Sequence, residues 1–326
     1  MKVIVPDYMV DDLLPQLRAV DPTVELLPLH ADGSLDGDAS DAEVLFRFHP
    51  GSRFGVTFGP KDWSALVRNT PNLRWLHSGS AGVESALVPE VMESDVILTN
   101  GAGGPKHAIA ETVLAFILAD AKALHSHYDN QRAREWRYLP HRELPGLTVA
   151  ILGLGKTGLE VAKLCKAMEM RVIGTKRSVS GAPLPHVDEL FPASKQDECV
   201  GQADYVVLCM ALTHETEGMV NASTFRAMKP NATLINVARG PVVNEGDLIE
   251  ALETNRIRRA CLDVFDTEPL PPENRFFDLP NVIVMPHNSP ASQNLFNHMQ
   301  DIFVENFRRY CSGQPLLNVV DKWAGY

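Results

Sequence analysis

The sequence contains few cysteines, and no two of them are close enough to form a metal-binding or redox pair. The chain has 326 residues and five cysteines, and the nearest pair, Cys199 and Cys209, lies outside any C-x-x-C spacing. An odd, unclustered set is typical of reduced thiols in the cytosol. No metal site is predicted. Long apolar runs are also missing, since the most apolar long segment, 108–124, contains two acids and a lysine. We therefore expect no membrane span.

Positive charge is in deficit. Lys and Arg total 30 against 41 Asp and Glu, which gives a formal net charge of -11. This balance argues against a general nucleic-acid binder, whose affinity would rest on neutralising phosphates. Hydrophobic residues make up 45% and charged residues 22%, as in globular domains. The N-terminus looks like a first strand rather than a signal peptide, so we expect a cytoplasmic protein.

Short apolar runs alternate with helix-like segments along the chain. In the first hundred residues strands are predicted at 3–6, 24–29, 44–46, 73–76 and 96–98, and helices at 10–20 and 61–69. From residue 147, strands are predicted at 147–152, 171–175, 205–209, 233–237, 260–264 and 282–284, and helices at 159–168, 222–228 and 246–254. This alternation predicts parallel sheets covered by helices. One continuous helix is predicted at 107–133 and a last one at 291–312.

A glycine-rich turn follows the first strand of the second series. The motif Gly153-Leu-Gly155-Lys156-Thr157-Gly158 lies between an apolar strand and an amphipathic helix. Glycines at this spacing allow the tight turn, the approach of a pyrophosphate to backbone N–H groups, and close packing of helix on strand. The motif predicts dinucleotide binding, the alternative being a turn without a ligand. Six strands in this series fit a doubly wound dinucleotide fold.

The end of the next strand lacks an acidic residue. A carboxylate at this position would bind an unmodified ribose, but the sequence has Lys176, Arg177 and Ser178. Cations favour a 2′-phosphate through charge-assisted hydrogen bonds. The sequence therefore favours NADP over NAD, unless these residues are ordinary surface cations.

Three polar residues follow three later strands. Arg239, Glu268 and His287 each lie at the carboxyl end of a predicted strand, where open α/β sheets bind ligands. An arginine can hold a substrate carboxylate, a histidine can exchange a proton near neutral pH, and a glutamate can orient the imidazole. Taken singly, each could instead be a surface ion-pair partner, a solvated loop carboxylate or a satisfied histidine. Their joint occurrence after a dinucleotide turn favours a site for a 2-oxo acid.

With these motifs the sequence resembles the D-isomer-specific 2-hydroxyacid dehydrogenases, which include glyoxylate/hydroxypyruvate reductases and phosphoglycerate dehydrogenases. The resemblance is strong at 147–287 and weak before residue 70. It implies that Arg239 binds the substrate, that Glu268 supports the histidine, and that His287 is the catalytic acid/base.

The resemblance also implies further binding residues. Ala81 and Gly82 match a loop whose amides bind the substrate carboxylate, and Asp263 matches a carboxylate that contacts the nicotinamide carboxamide. Val237 and Thr216 are assigned to the cofactor site, with Thr216 as a helix cap. The predicted cofactor site also includes the glycine-rich turn and the strand end described above, namely Gly153, Gly155, Lys156, Thr157, Gly158, Lys176, Arg177 and Ser178.

The fold implied by the resemblance is two Rossmann/flavodoxin-like α/β domains, each with a parallel sheet. Residues 1–100 and 290–326 would form the substrate domain, and the dinucleotide-binding domain, 101–289, would be inserted into it. A homodimer is implied, formed through 107–141 with Trp136 and Tyr138 as interface aromatics. Packing of those aromatics within the chain is the alternative.

We therefore expect an oxidoreductase that transfers a hydride between NAD(P)H and a small 2-oxo or D-2-hydroxy acid, with NADPH-dependent glyoxylate/hydroxypyruvate-type reduction as the specific prediction. Phosphite or formate oxidation on the same scaffold is an alternative, although Glu268 argues against formate. A non-catalytic NAD(P)-sensing regulator is another. Three departures from the family stand out: Asn288-Ser289-Pro290 after the histidine, no basic residue in 99–104, and Cys261 beside Asp263.

Overall fold

The computed structural model describes residues 1–48, 63–179 and 182–326. It divides the chain into two compact units, residues 1–105 with 292–326, and residues 106–291. The second unit is therefore inserted, in sequence, into the first. Each unit contains one parallel sheet, and the predicted fold class is confirmed.

The first unit is built on a five-stranded sheet in the order β2-β1-β3-β4-β5. Its elements are β1 (Lys2–Pro6), α1 (Val10–Arg18), β2 (Glu25–Leu29), β3 (Ala42–Arg47), α2 (Trp63–Arg68), β4 (Trp75–Ser78), α3 (Pro89–Met92) and β5 (Ile97–Asn100), and the last helix of the chain, Leu295–Cys311. Stacked aromatic rings join that helix to the sheet, since Phe303 lies 4.3 Å from Phe46 and 5.3 Å from Trp75 between ring centroids. The start of the predicted helix 61–69 lies outside the described residues.

The second unit is built on a seven-stranded parallel sheet in the order β12-β11-β10-β9-β6-β7-β8. Its strands are β6 (Thr148–Leu152), β7 (Arg171–Lys176), β8 (Glu189–Pro192), β9 (Tyr205–Leu208), β10 (Thr233–Asn236), β11 (Arg259–Leu262) and β12 (Val282–Val284). Its helices are α4 (Lys106–Ala121), α5 (Leu124–Ala133), α6 (Lys156–Ala167), α7 (Gln196–Val200), α8 (Ala222–Ala227) and α9 (Glu245–Glu253). The strand order reverses between β6 and β9, and a ligand crevice is expected at their carboxyl ends.

The prediction of six strands in this sheet was wrong, because β8 is a seventh. It is a four-residue edge strand with only Phe191 buried. A strand this short and this exposed has no apolar run from which to recognise it. It pairs in parallel with β7.

The single helix predicted at 107–133 was also wrong. The structure has two helices, separated at Ala123, whose φ is 50°. Near the end of α4 the buried carboxylate of Asp120 pairs with Arg258 and Arg259 at the start of β11. This fixes α4 on the sheet, whereas α5 buries none of its residues. Of the helices described, none is both long and apolar enough to cross a bilayer.

Candidate active site

The glycine-rich turn after β6 has a distinct requirement at each glycine. Gly153 has a φ of 101°, and a Cβ there would lie 2.6 Å from the amide nitrogen of Met210. A Cβ on Gly158 would lie 2.2 Å from the carbonyl oxygen of Gly153, so this glycine allows α6 to pack against the turn. A Cβ on Gly155 would meet no atom within 4 Å. The first and third glycines are needed by the fold, and the second borders open space.

That open space lies at the start of α6. Gly155 is the N-cap residue and Lys156 and Thr157 begin the helix, whose first backbone N–H groups have no acceptor within it. The helix dipole adds partial positive charge at this end. Burial, and to a smaller extent Lys106, lowers the pKa of Lys156. Donors, positive potential and open space together fit a dinucleotide pyrophosphate.

The predicted ribose-binding residues follow β7 at the same sheet edge. Lys176, Arg177 and Ser178 are exposed, and the guanidinium of Arg177 lies 3.4 Å from the carboxylate of Glu215. The next acidic residue after Ser178, Asp188, is engaged elsewhere, since its carboxylate accepts hydrogen bonds from Lys166 and from the Val172 amide. The charge pattern at the end of β7 is therefore positive, as a 2′-phosphate requires.

The prediction that Thr216 caps a helix was wrong. Its hydroxyl donates to the carbonyl of Ala211 at 2.7 Å and accepts from the Thr213 amide at 2.8 Å. It thus closes a turn that follows β9. The next helix, α8, is capped by Asn221. A threonine before a helix segment cannot be assigned to a turn or a cap from spacing alone.

His287 and Glu268 form the central pair of the site. Nδ1 of His287 lies 2.7 Å from Oε2 of Glu268, and Oε1 of the same carboxylate accepts the Phe265 amide at 3.1 Å. An ionised carboxylate can only accept, so Nδ1 must carry the proton in this pair. Nε2 is then the nitrogen that can exchange a proton with a ligand. The structure brings together two residues that are 19 positions apart.

Asp263 is fully buried directly after β11. Its carboxylate accepts the amide of Asn288 at 2.6 Å and that of Ser289 at 3.2 Å. These are the two residues that follow His287, so Asp263 holds the turn that carries the histidine. Sequence reasoning assigned Asp263 only to the cofactor and missed this contact. The departure Asn288-Ser289 supplies backbone amides here, whereas Cys261 is buried in the core.

Arg239 lies in a turn after β10 that is shaped by its neighbours. Asn236 donates to the carbonyl of Arg239 at 3.1 Å and accepts the Ala238 amide at 3.0 Å, which fixes the turn around buried Val237. The guanidinium Nη1 donates to the Ala238 carbonyl at 2.7 Å. Arg239 is half-buried, so part of its donor fork is desolvated, which strengthens binding to an anion.

Gly240 joins this turn to the segment that leads to Glu268. A Cβ on Gly240 would lie 2.0 Å from the carbonyl carbon of Phe265 and 2.4 Å from the nitrogen of Asp266. Only glycine allows this contact between two backbones. The arginine turn and the approach to Glu268 are therefore in direct contact.

In the first unit, the loop after β4 carries Ala81 and Gly82. The side chain of Asn100 donates to the Ala81 carbonyl at 2.9 Å, and the Gly101 amide donates to the Ser80 carbonyl at 3.0 Å. Among the described residues, the amides of Ala81 and Gly82 have no hydrogen-bond acceptor. Two backbone donors in a fixed loop are a suitable binding site for a carboxylate.

Residues 114–289 match the family model of the D-isomer specific 2-hydroxyacid dehydrogenase NAD binding domain. The chain therefore belongs to the D-isomer-specific 2-hydroxyacid dehydrogenase family, as its motifs predict. Across the described parts of the chain, no group of three or more His, Cys, Asp or Glu side chains is arranged to hold a metal ion.

Several relatives are similar over most of this chain. The glyoxylate/hydroxypyruvate reductase B of Pectobacterium atrosepticum is 32% identical over 264 residues, which is 78% of this chain and 81% of that protein. D-3-phosphoglycerate dehydrogenases of Archaeoglobus fulgidus and Methanocaldococcus jannaschii are also similar, and the matches span 49% and 59% of their lengths.

Two crystal structures share the fold over the whole chain. A D-isomer specific 2-hydroxyacid dehydrogenase from Xanthobacter autotrophicus Py2, in complex with NADPH and MES, superposes with a TM-score of 0.85 at 28% identity, covering 100% of this chain and 99% of that one. An NADPH-dependent glyoxylate/hydroxypyruvate reductase from Sinorhizobium meliloti, in complex with NADP and sulfate, gives 0.83 at 30% identity with the same coverage.

Proposed function

We propose that this protein is an NAD(P)-dependent oxidoreductase that transfers a hydride between NADPH or NADH and a small 2-oxo or D-2-hydroxy acid. The observation that carries the proposal is the His287–Glu268 pair at 2.7 Å, in the same unit as the dinucleotide-type turn. Family membership and NADP-bound structural neighbours support the same reaction. Within this class we favour glyoxylate/hydroxypyruvate-type reduction with NADPH.

The residues have separate tasks in this reaction. When bound, the nicotinamide cofactor supplies or accepts the hydride. Arg239 holds the substrate carboxylate through its guanidinium donors. Glu268 keeps the Nδ1 proton of His287 in place, so Nε2 gives a proton to the substrate oxygen during reduction and removes it during oxidation. Asp263 keeps the histidine in position through the two amides that follow it.

We assign cofactor binding to the residues at the carboxyl edge of the second unit. The turn residues Gly153, Gly155 and Gly158, with Lys156 and Thr157, are the proposed pyrophosphate site. Lys176, Arg177 and Ser178 are the proposed 2′-phosphate site, and we place Thr216, Val237 and Asp263 along the rest of the cofactor. The second unit is on this assignment the dinucleotide domain and the first the substrate domain.

Three further assignments rest on the family resemblance. We assign carboxylate binding also to the Ala81 and Gly82 amides. We propose a homodimer formed through residues 107–141, since Trp136 and Tyr138 have relative exposures of 105% and 90% in the single chain. Tryptophan and tyrosine are enriched at protein–protein interfaces, so two exposed aromatics close together in this segment support such an interface. We also propose a cytoplasmic location, on the basis of the same family resemblance.

Initial-rate kinetics test the proposed reaction. Glyoxylate, hydroxypyruvate, pyruvate and phenylpyruvate are each assayed with NADPH and with NADH, and phosphite and formate are assayed with NADP and NAD. Reduction of at least one 2-oxo acid, lost in His287→Ala, is the expected result. Turnover of phosphite alone would favour the alternative chemistry on this scaffold. Tight NADPH binding without any turnover would favour a sensor instead.

A further inference from the structure

Two carboxylates hold the backbone that leads from β11 to Glu268. The carboxylate of Glu268 accepts a hydrogen bond from the Phe265 amide at 3.1 Å. The carboxylate of Glu245 accepts one from the next amide, that of Asp266, at 2.9 Å. Glu245 comes from a different element, the first turn of α9. Residues 263–268, called here the 263–268 segment, are thus held in their middle by a side chain from another element.

The position of Glu245 is itself fixed by the arginine turn. The chain runs from Arg239 and Gly240 into α9 within five residues, and the Val243 amide donates to the Gly240 carbonyl at 2.9 Å. Asn244 caps α9 by accepting the Asp247 amide at 3.0 Å. A carboxylate in the first turn of a helix is stabilised by the helix dipole. Glu245 is therefore held on a short, hydrogen-bonded connection to Arg239.

Gly240 supplies a second contact between the same two pieces of chain. Its α-carbon lies against the peptide between Phe265 and Asp266. The N–H of that same peptide donates the hydrogen bond to Glu245. One peptide unit is therefore held by van der Waals contact on one side and by a carboxylate hydrogen bond on the other. A shift of this peptide would therefore disturb its close contact with Gly240, the residue after Arg239, and would move the 263–268 segment.

The contact between Glu245 and the Asp266 amide brings two acidic side chains close together. Burial, followed by the charges of Glu245 and Glu217, raises the pKa of Asp266 to about 6. A second acidic side chain beside Asp266 is electrostatically unfavourable, and the fold nevertheless places Glu245 there with its oxygen on the Asp266 amide. The hydrogen bond to the backbone offsets that repulsion.

We propose that Glu245 is a positioning residue for the reaction. Its carboxylate holds the 263–268 segment so that Glu268 meets Nδ1 of His287 while Arg239 stays in its turn. The inference rests on the proposed function for its kinetic consequence, although the contact itself does not depend on any activity. Because small displacements of a catalytic group can lower rates ~10²-fold, the loss of this acceptor should be visible in kcat.

The test compares Glu245→Ala with Glu245→Gln. Alanine removes the acceptor, whereas the glutamine oxygen can still accept the Asp266 amide without the charge. We expect Glu245→Ala to lower kcat for the 2-oxo acid by ~10- to ~100-fold, with KM for NADPH changed less than about twofold. Glu245→Gln should keep kcat within about threefold of wild type, as rescue by the conservative variant. Glu250→Ala, an exposed position on the same helix, is the matched control and should match wild type.

A second measurement reports on the contact without using activity. Amide hydrogen exchange followed by mass spectrometry should show faster exchange within 263–268 in Glu245→Ala, and wild-type exchange in Glu245→Gln and Glu250→Ala. Unchanged exchange in Glu245→Ala, or a Glu245→Gln variant as impaired as Glu245→Ala, would overturn the proposal. If Glu245→Ala does not fold, Glu245→Gln still tests the proposal, because a large loss of kcat or faster exchange within 263–268 in that variant would overturn it. A wild-type protein that reduces no 2-oxo acid would refute the proposed function and leave the exchange test valid.

Discussion

The glycines of the turn after β6 give the sharpest test of the cofactor site, because replacing two of them should affect two different properties, cofactor binding and stability. We expect Gly155→Ala to lose NADPH binding and keep its stability, and Gly158→Ala to lose stability first. The φ of Gly155 is -87°, which alanine adopts freely, and an added Cβ meets no protein atom within 4 Å. A small loss of N-cap quality and a small gain from a less flexible unfolded chain offset each other. The change in unfolding free energy should stay within about 0.5 kcal/mol.

The effect of Gly155→Ala on binding follows from the same geometry. The methyl group would occupy the space through which a pyrophosphate reaches the first amides of α6. Loss of one hydrogen bond to a charged group is worth about 1.5–3 kcal/mol. The dissociation constant of NADPH should therefore rise ~10- to ~100-fold. In Gly158→Ala the Cβ lies 2.2 Å from the Gly153 oxygen, and overpacking of this kind costs about 1–3 kcal/mol in stability.

The assay measures NADPH affinity by titration of its fluorescence and stability by urea unfolding, for both variants and for Gly246→Ala. Gly246 lies on α9, and a Cβ there makes an ordinary 3.4 Å contact with Asn244. It should leave NADPH affinity unchanged, and its stability should equal that of wild type or exceed it by up to about 1 kcal/mol, because alanine is favoured over glycine in a helix. Wild-type NADPH affinity in Gly155→Ala would refute the assignment of the open space to the cofactor. A stability loss in Gly155→Ala equal to that of Gly158→Ala would refute the distinction between the two glycines.

Three further predictions concern the reaction, the cofactor and pH. His287→Ala should lower kcat by at least ~10²-fold with NADPH affinity unchanged, measured by steady-state kinetics and titration; near-normal turnover of a folded variant would contradict its role as acid/base. Replacing Lys176 and Arg177 together by Ser should raise KM for NADPH far more than for NADH, and equal changes would contradict the 2′-phosphate assignment. The raised pKa of Asp266, about 6, means that the folded state binds its proton more tightly than the unfolded chain, so the contribution of Asp266 to stability is lost as pH rises from about 4 through about 6. The Asp266→Asn variant has no titrating carboxyl group at this position. Its stability relative to wild type should therefore rise by about 1 kcal/mol between pH 4 and pH 7.5, after allowance for solvent screening. Urea unfolding at the two pH values measures this difference.

The sequence predicted the elements whose residues are buried on both sides. β6, β9 and β10 consist entirely of buried residues, so their apolar runs stand out. Parallel strands end at one edge of the sheet, and residues directly after them must meet there. This is why Glu268 and His287 could be expected as a pair from their places after β11 and β12.

The contacts that position the catalytic residues could not be predicted from the sequence in this way. Asp263 accepts hydrogen bonds from the amides after His287, and Glu245 accepts one from the Asp266 amide, so each joins a side chain to backbone groups of another segment. No residue type marks a backbone acceptor or donor in the sequence. The break at Ala123 likewise could not be predicted from the sequence, because the helical spacing of apolar residues in 107–133 continues across it.

The edges of the two sheets carry a consequence for how copies of this chain can associate. β2, at one edge of the first sheet, contains Pro28, and β8, at one edge of the second, ends with Pro192. Proline has no N–H to offer an incoming strand, and the end of β2 is further engaged by the loop at Leu35. Growth of either sheet into a neighbouring molecule is thereby hindered at these edges. Association through side chains of helices and loops, rather than through continuous intermolecular sheets, is the route that remains favourable there.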